Sequence, residues 1–267
     1  MDLQLGAKRA LITGGSRGIG KAIARALARE GAHVAILARD PVRLAAAASE
    51  IAAESGRTIV PVAADTTDQA QVEAAVAAAA RTLGGGIDIL VAAAAEPGGY
   101  APPPKLAEID AAHFHREMDT KVMGYVRCAR AVAPHMRERR WGRIILVSGL
   151  AARHTGNTVG SIRNVAVAAL AKNLADELGP DGVNVNVVHP GVTRTERTAA
   201  LIEAQVAALG VDAREVERRI ADGNSIRHFV DAAEVADIVA FLASPRSLAI
   251  NGESIAVGGG VPRSIYY

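Results

Sequence analysis

The run Thr13-Gly14-Gly15-Ser16-Arg17-Gly18-Ile19-Gly20 sits between a strand-like segment and a helix-like one, and that setting leaves the chain few folds to choose from. Upstream, Arg9-Ala10-Leu11-Ile12-Thr13 is short and apolar. Downstream, Ile19, Ile23, Ala26 and Leu27 recur at helical spacing. Glycine permits the tight turn and lets backbone N–H groups approach a pyrophosphate, while the following helix points its positive end at the anion. A second strand-like run, Val34-Ala35-Ile36-Leu37, follows one unit later. Strand, glycine loop, helix and strand in that order specify a dinucleotide-binding α/β unit.

The same alternation continues along the chain. Strands are expected near residues 59–63, 87–93, 143–148, 183–189 and 254–257. Helices are expected near 41–55, 68–83, 116–139, 160–178 and 232–243. This pattern predicts a single Rossmann-type doubly wound parallel sheet with helices on both faces. A chain of 267 residues that is 50% hydrophobic can bury such a core as one domain, residues 1–267.

Charge excludes some function classes. The 30 basic and 28 acidic residues are spread along the chain, so no nucleic-acid or membrane partner is expected. The densest basic run, Arg137-Glu138-Arg139-Arg140, closes a helix, where cations are ordinary. Cys128 is the sole cysteine, which rules out an internal disulfide. No metal site is expected, because His113 and His115 stand two apart and point to different helix faces. The opening Met1-Asp2-Leu3-Gln4-Leu5-Gly6 carries no signal pattern, and a cytoplasmic location is the expectation.

These motifs and their order resemble the short-chain dehydrogenase/reductase family over almost the whole chain. The likeness extends through Ala63-Ala64-Asp65, Asp88-Ile89-Leu90-Val91, Gly142-Arg143-Ile144-Ile145, Val188-His189-Pro190-Gly191 and Asn251-Gly252-Glu253. It implies a nicotinamide dinucleotide held by Gly14, Ser16, Arg17, Gly18, Ile19 and Gly20, with Asp65 at the adenine and Thr195 at the nicotinamide amide. It also implies a variable substrate lid at about 195–230 and assembly as a homodimer or homotetramer through two long helices. At the end of the second strand, Ala38-Arg39 offers a cation and no carboxylate, which predicts NADP(H) preferred over NAD(H), with Asp40 as an opposing charge if it points inward. Charge-assisted bonds of about 1.5–3 kcal/mol would account for such a preference. One cofactor segment departs from the family: its Asn-Asn-Ala-Gly reads Ala92-Ala93-Ala94-Ala95, and the methyl of Ala95 is expected to crowd the adenosine ribose.

The catalytic slots depart much further. The family uses a tyrosine to exchange the hydroxyl proton, a lysine four residues on to lower its pKa, a serine to orient the substrate and an asparagine to support a water relay. Here Gly160 stands in the tyrosine slot, Asn164 in the lysine slot, Gly149 in the serine slot and Lys121 in the asparagine slot. A phenol with a pKa near 10 needs roughly 4 kcal/mol of electrostatic help to ionise at neutral pH, and an uncharged amide cannot supply it. Ser148 precedes Gly149, and adjacent strand residues face opposite sides, so register decides which of the two meets the substrate. Lys121, Ser148 and His154 are the candidate substitutes for the lost proton donor, with His154 first among them because it lies on the loop leading to the tyrosine slot, and His189 belongs to the same converging segments. Two function classes stay open: an NADP(H)-dependent oxidoreductase acting on a carbonyl or alcohol with a substitute donor, or a silent cofactor-binding sensor or partner subunit of an active relative.

Overall fold

The computed structural model describes residues 1–95 and 103–262. Apolar runs with little alternation form the inner strands, buried on both faces as parallel sheets require, while the two edge strands alternate with more exposed residues. The strands are β1 (Arg9–Thr13), β2 (His33–Ala38), β3 (Ile59–Ala63), β4 (Ile89–Ala92), β5 (Gly142–Val147), β6 (Val183–Pro190) and β7 (Ser254–Val257). Among the described residues they build one parallel sheet in the order β3-β2-β1-β4-β5-β6-β7.

Helices cover both faces. On one side α1 (Gly18–Arg29), α2 (Pro41–Ser55) and α9 (Ala232–Ala243) pack through Ile23, Leu27, Leu44, Ile51, Val235 and Val239. On the other, α3 (Gln69–Thr82), α5 (Gly124–Arg139) and α6 (Thr158–Leu178) pack through Val72, Val76, Tyr125, Val132 and Val167. A short α4 (Ala111–Met118) precedes α5, and the lid region contributes α7 (Thr198–Leu209) and α8 (Ala213–Asp222). Side chains at the first residue outside the helix fix several starts: Asp40, Asp68, Asn157 and Asp212 each accept from N–H groups of the turn they precede.

Two local differences from the sequence expectation bear on function. The helix expected over residues 116–139 begins earlier and contains a π turn, Asp119–Met123, between α4 and α5. Such a bulge rotates the side chains on either side of it, and Lys121 lies at its centre. Helix α6 begins at Thr158 because Asn157 caps it, which puts Gly160 inside the first turn. Strand order reverses between β1 and β4, so the crevice beyond their carboxyl ends is where this architecture places ligands.

Candidate active site

A cleft of about 1010 Å³ runs along that crevice. Gly14, Ser16, Arg17, Gly18, Ile19 and Gly20 line one end together with Arg39, Asp65 and Ala93–Ala95; Lys121, Ser148, Gly149, His154, Gly160, Arg163 and Asn164 line the other, with Thr195 and Arg197 from the lid. The sequence-derived site residues therefore meet in one cavity.

The phosphate-loop end is shaped by its glycines. Gly14 has φ +70°, and a Cβ there would come within 2.8 Å of the Ala93 carbonyl. A Cβ on Gly20 would run into the Gly14 carbonyl. The loop thus fits only without side chains at these points. Thr13 braces it to the alanine run, its hydroxyl accepting from the N–H groups of Ala93 and Ala94 at 3.1 and 3.2 Å. Both oxygens of the Glu196 carboxylate accept from the Gly18 N–H, at 2.9 and 3.0 Å. Asp40 lines the cleft beside Arg39, and its carboxylate caps α2 by accepting from the N–H groups of Val42 and Arg43, both at 3.1 Å. Asp65 accepts from the backbone N–H and hydroxyl of Thr67, both at 2.9 Å, and Thr195 packs near Gly18 with its methyl.

At the other end, Lys121 and Asn164 share a buried contact. Lys121 is 4% exposed, and its ammonium donates to the Ser148 carbonyl at 2.9 Å and to Asn164 Oδ1 at 3.0 Å. Both acceptors are uncharged. Burial pushes the Lys121 ammonium down to about 7, with the Arg163 guanidinium adding to the effect and Glu117 opposing it. Arg163 and Glu117 pair with each other across α6 and α4. Lysine and asparagine thus face each other across the cavity floor, each on the helical segment where the family resemblance leads one to expect the other.

Ser148 and Gly149 both follow the end of β5 and line the cleft, but differ in what they offer. The Ser148 hydroxyl donates to the backbone carbonyl of Asn164 at 3.1 Å, tying β5 to α6. A Cβ on Gly149 would point at Asn164 Nδ2, 3.2 Å away, so a side chain at position 149 would face the same amide that holds Lys121. Gly160 is covered by Asn157, whose Oδ1 accepts from the Gly160 N–H at 2.8 Å and whose amide carbon lies 2.7 Å from where a Cβ would be. His154 is an exposed loop residue at the mouth. His189 is 1% exposed, its Nδ1 is bonded to the Gly149 carbonyl at 3.0 Å, and burial lowers its pKa. It supports the floor from beneath and does not line the cleft.

Arg163, Glu117, Asn157 and Glu196 are site residues that the motif comparison missed. Asn157 left a readable signal, an Asn at the start of an apolar helical run. The other three are set by how helices and lid meet, which no local pattern encodes.

Comparison with known proteins accords with this geometry. A family profile described as short chain dehydrogenase matches residues 8–206. The chain is 35% identical over 254 residues to the short-chain reductase protein NovJ of Streptomyces niveus, covering 95% of this chain and 93% of that one. It is 34% identical over 269 residues to oxidoreductase UcpA of Salmonella typhimurium, covering 98% of both. Among solved structures, L-sorbose reductase from Gluconobacter frateurii complexed with NADPH and L-sorbose superposes with a TM-score of 0.91 at 30% identity, covering 99% of this chain and 100% of that one.

Proposed function

Because the chain belongs to the short-chain dehydrogenase family, we propose that it is an NADP(H)-dependent oxidoreductase acting on a carbonyl or alcohol substrate in the cleft described above. The observation that carries this is the continuity of that cleft, from the glycine loop and Arg39 to a polar floor made by Lys121 and Asn164. Gly14, Ser16, Gly18, Ile19 and Gly20 would hold the pyrophosphate, and Arg17 and Arg39 the additional phosphate, with one oxygen of Asp40 engaged as a helix cap. Asp65 and Thr195 would contact the adenine and nicotinamide ends. Bound there, the dinucleotide supplies or takes up hydride; the residues of this chain hold it and handle the proton. The structure of L-sorbose reductase with NADPH supports the phosphorylated form as the cofactor.

A second reading is favoured by one observation. Asn157 fills the space over Gly160, and Gly149 brings no hydroxyl, which suits a silent cofactor-binding sensor or a partner subunit of an active relative. We further propose a cytoplasmic homodimer or homotetramer. No helix among the described residues is long and apolar enough to cross a membrane, and Met123, Ile162 and Val165 expose apolar surface along the α5 and α6 side.

The cofactor assignment is tested by thermal melting with each nucleotide. A ligand that binds only the native state at 100 times its Kd adds about 2.7 kcal/mol of stability. In a chain of this size that is a rise of several degrees. NADPH is expected to raise the melting temperature more than NADH at equal concentration. Equal shifts would remove the role given to Arg39, and no shift with either at millimolar concentration would remove the cofactor. Turnover of NADPH against a panel of ketones, aldehydes and diketones separates the oxidoreductase from the silent binding protein.

A further inference from the structure

We propose that Lys121 is the proton donor and acceptor of this site, delivered from the π turn between α4 and α5, and that Asn164 is its positioning residue on the facing helix. This deepens the oxidoreductase reading above and rests on it.

Three observations point the same way. Lys121 lines the cleft yet is buried, and its two hydrogen-bond partners are the Ser148 carbonyl and the Asn164 amide oxygen, neither of which neutralises its charge. An ammonium held this way is costly to bury, and lysines so placed readily exchange protons near neutral pH. Gly160 brings no phenol, and a larger residue there would first have to displace the Asn157 side chain, which lies where its Cβ would be. The other candidates are worse placed: the Ser148 hydroxyl is spent on the Asn164 carbonyl, His154 is exposed at the mouth, and His189 lies under the floor. The titratable and charged groups facing Lys121 are Glu117 on its own helical segment, Arg163 on α6 and His189 on β6. Its lowered pKa of about 7 leaves both protonation states populated at neutral pH.

The carbonyl carbon of the substrate takes hydride from the reduced dinucleotide, which leaves as NADP+, while the carbonyl oxygen takes a proton from Lys121 Nζ. C=O becomes CH–OH, Nζ is left as a neutral amine, and water entering the cleft returns its proton. Oxidation of an alcohol runs the same path backwards and needs the neutral amine. Reduction is therefore expected to fall as pH rises through the Lys121 pKa and alcohol oxidation to rise.

The test uses the full-length protein, NADPH and the carbonyl panel, with Lys121→Met, Asn164→Asp and, as a surface control, Lys172→Met. Lys121→Met leaves two uncharged acceptors and no orphaned charge, so it is expected to fold and to keep the NADPH melting shift while losing about 10²–10⁴-fold in turnover. Asn164→Asp sets a carboxylate beside the ammonium and should move the descending limb of the reduction profile to higher pH, an effect that loss of packing alone would not produce. A readout without cofactor completes the test. A lysine with a lowered pKa holds fewer protons folded than unfolded between about 7 and its ordinary 10.5. The stability of the wild type should therefore climb with pH across that window relative to Lys121→Met. Full turnover in Lys121→Met, a flat stability difference between pH 7 and 10.5, or NADPH binding with no turnover on any carbonyl would each overturn the proposal. Absence of any NADPH melting shift would instead defeat the cofactor reading and remove this one with it.

Discussion

Asn157 shows how one side chain can both start a helix and lie against the residue three positions on. Its Oδ1 accepts from the Gly160 N–H at 2.8 Å, and the rest of the amide lies where the Cβ of any larger residue at position 160 would sit. Removing such a cap costs about 1 kcal/mol. Asn157→Ala is accordingly expected to lower unfolding stability by about 1 kcal/mol, seen as a lower urea midpoint with an unchanged m-value. The same geometry makes a tyrosine at position 160 alone a poor repair, because it must first displace the cap. Gly149 is different: its φ of 169° is extended backbone open to any residue, and the nearest atom to an added Cβ is the end of a side chain. The three glycine or asparagine substitutions at this site thus differ in kind. At position 160 a larger residue meets the Asn157 side chain, at position 149 it meets only the end of Asn164, and position 164 offers its amide oxygen to the Lys121 ammonium on the opposite wall.

At the scale of elements, much was legible from sequence and for identifiable reasons. Apolar runs such as Val34–Leu37 and Ile144–Val147 could only be strands buried on both faces, and β7 and α9 lie where their periodicity places them. The phosphate loop was legible because glycine is required where Gly14 meets the Ala93 carbonyl. The π turn at Asp119–Met123 was not, since no proline or glycine within it marks a break and the apolar spacing continues across. That one-residue bulge carries Lys121, so sequence located the altered slot without showing that its ammonium meets Asn164 at 3.0 Å. The contact between lid and loop through Glu196 was equally hidden, because residues 18 and 196 are joined only by tertiary packing.

For the whole molecule, the exposed Met123, Ile162 and Val165 give the α5 and α6 side a surface suited to a second copy of the chain. Sedimentation at micromolar concentration is expected to return two or four times the 27.6 kDa chain mass, and a particle of one chain mass would contradict the assembly. The Glu196 contact carries a different consequence. With its carboxylate resting on the Gly18 N–H, the lid holds its own anion at the point where a phosphate oxygen would be received. If a phosphate oxygen takes the same N–H, only molecules in which Glu196 has let go would accept the dinucleotide, and the measured affinity would be the intrinsic one scaled by their fraction of the population. Glu196→Ala should enlarge that fraction and tighten NADPH binding severalfold by calorimetry, while leaving the ratio between NADPH and NADH where it was. The lid would then act as a toll on every dinucleotide alike, set by one carboxylate that touches neither the substrate nor the reacting carbon.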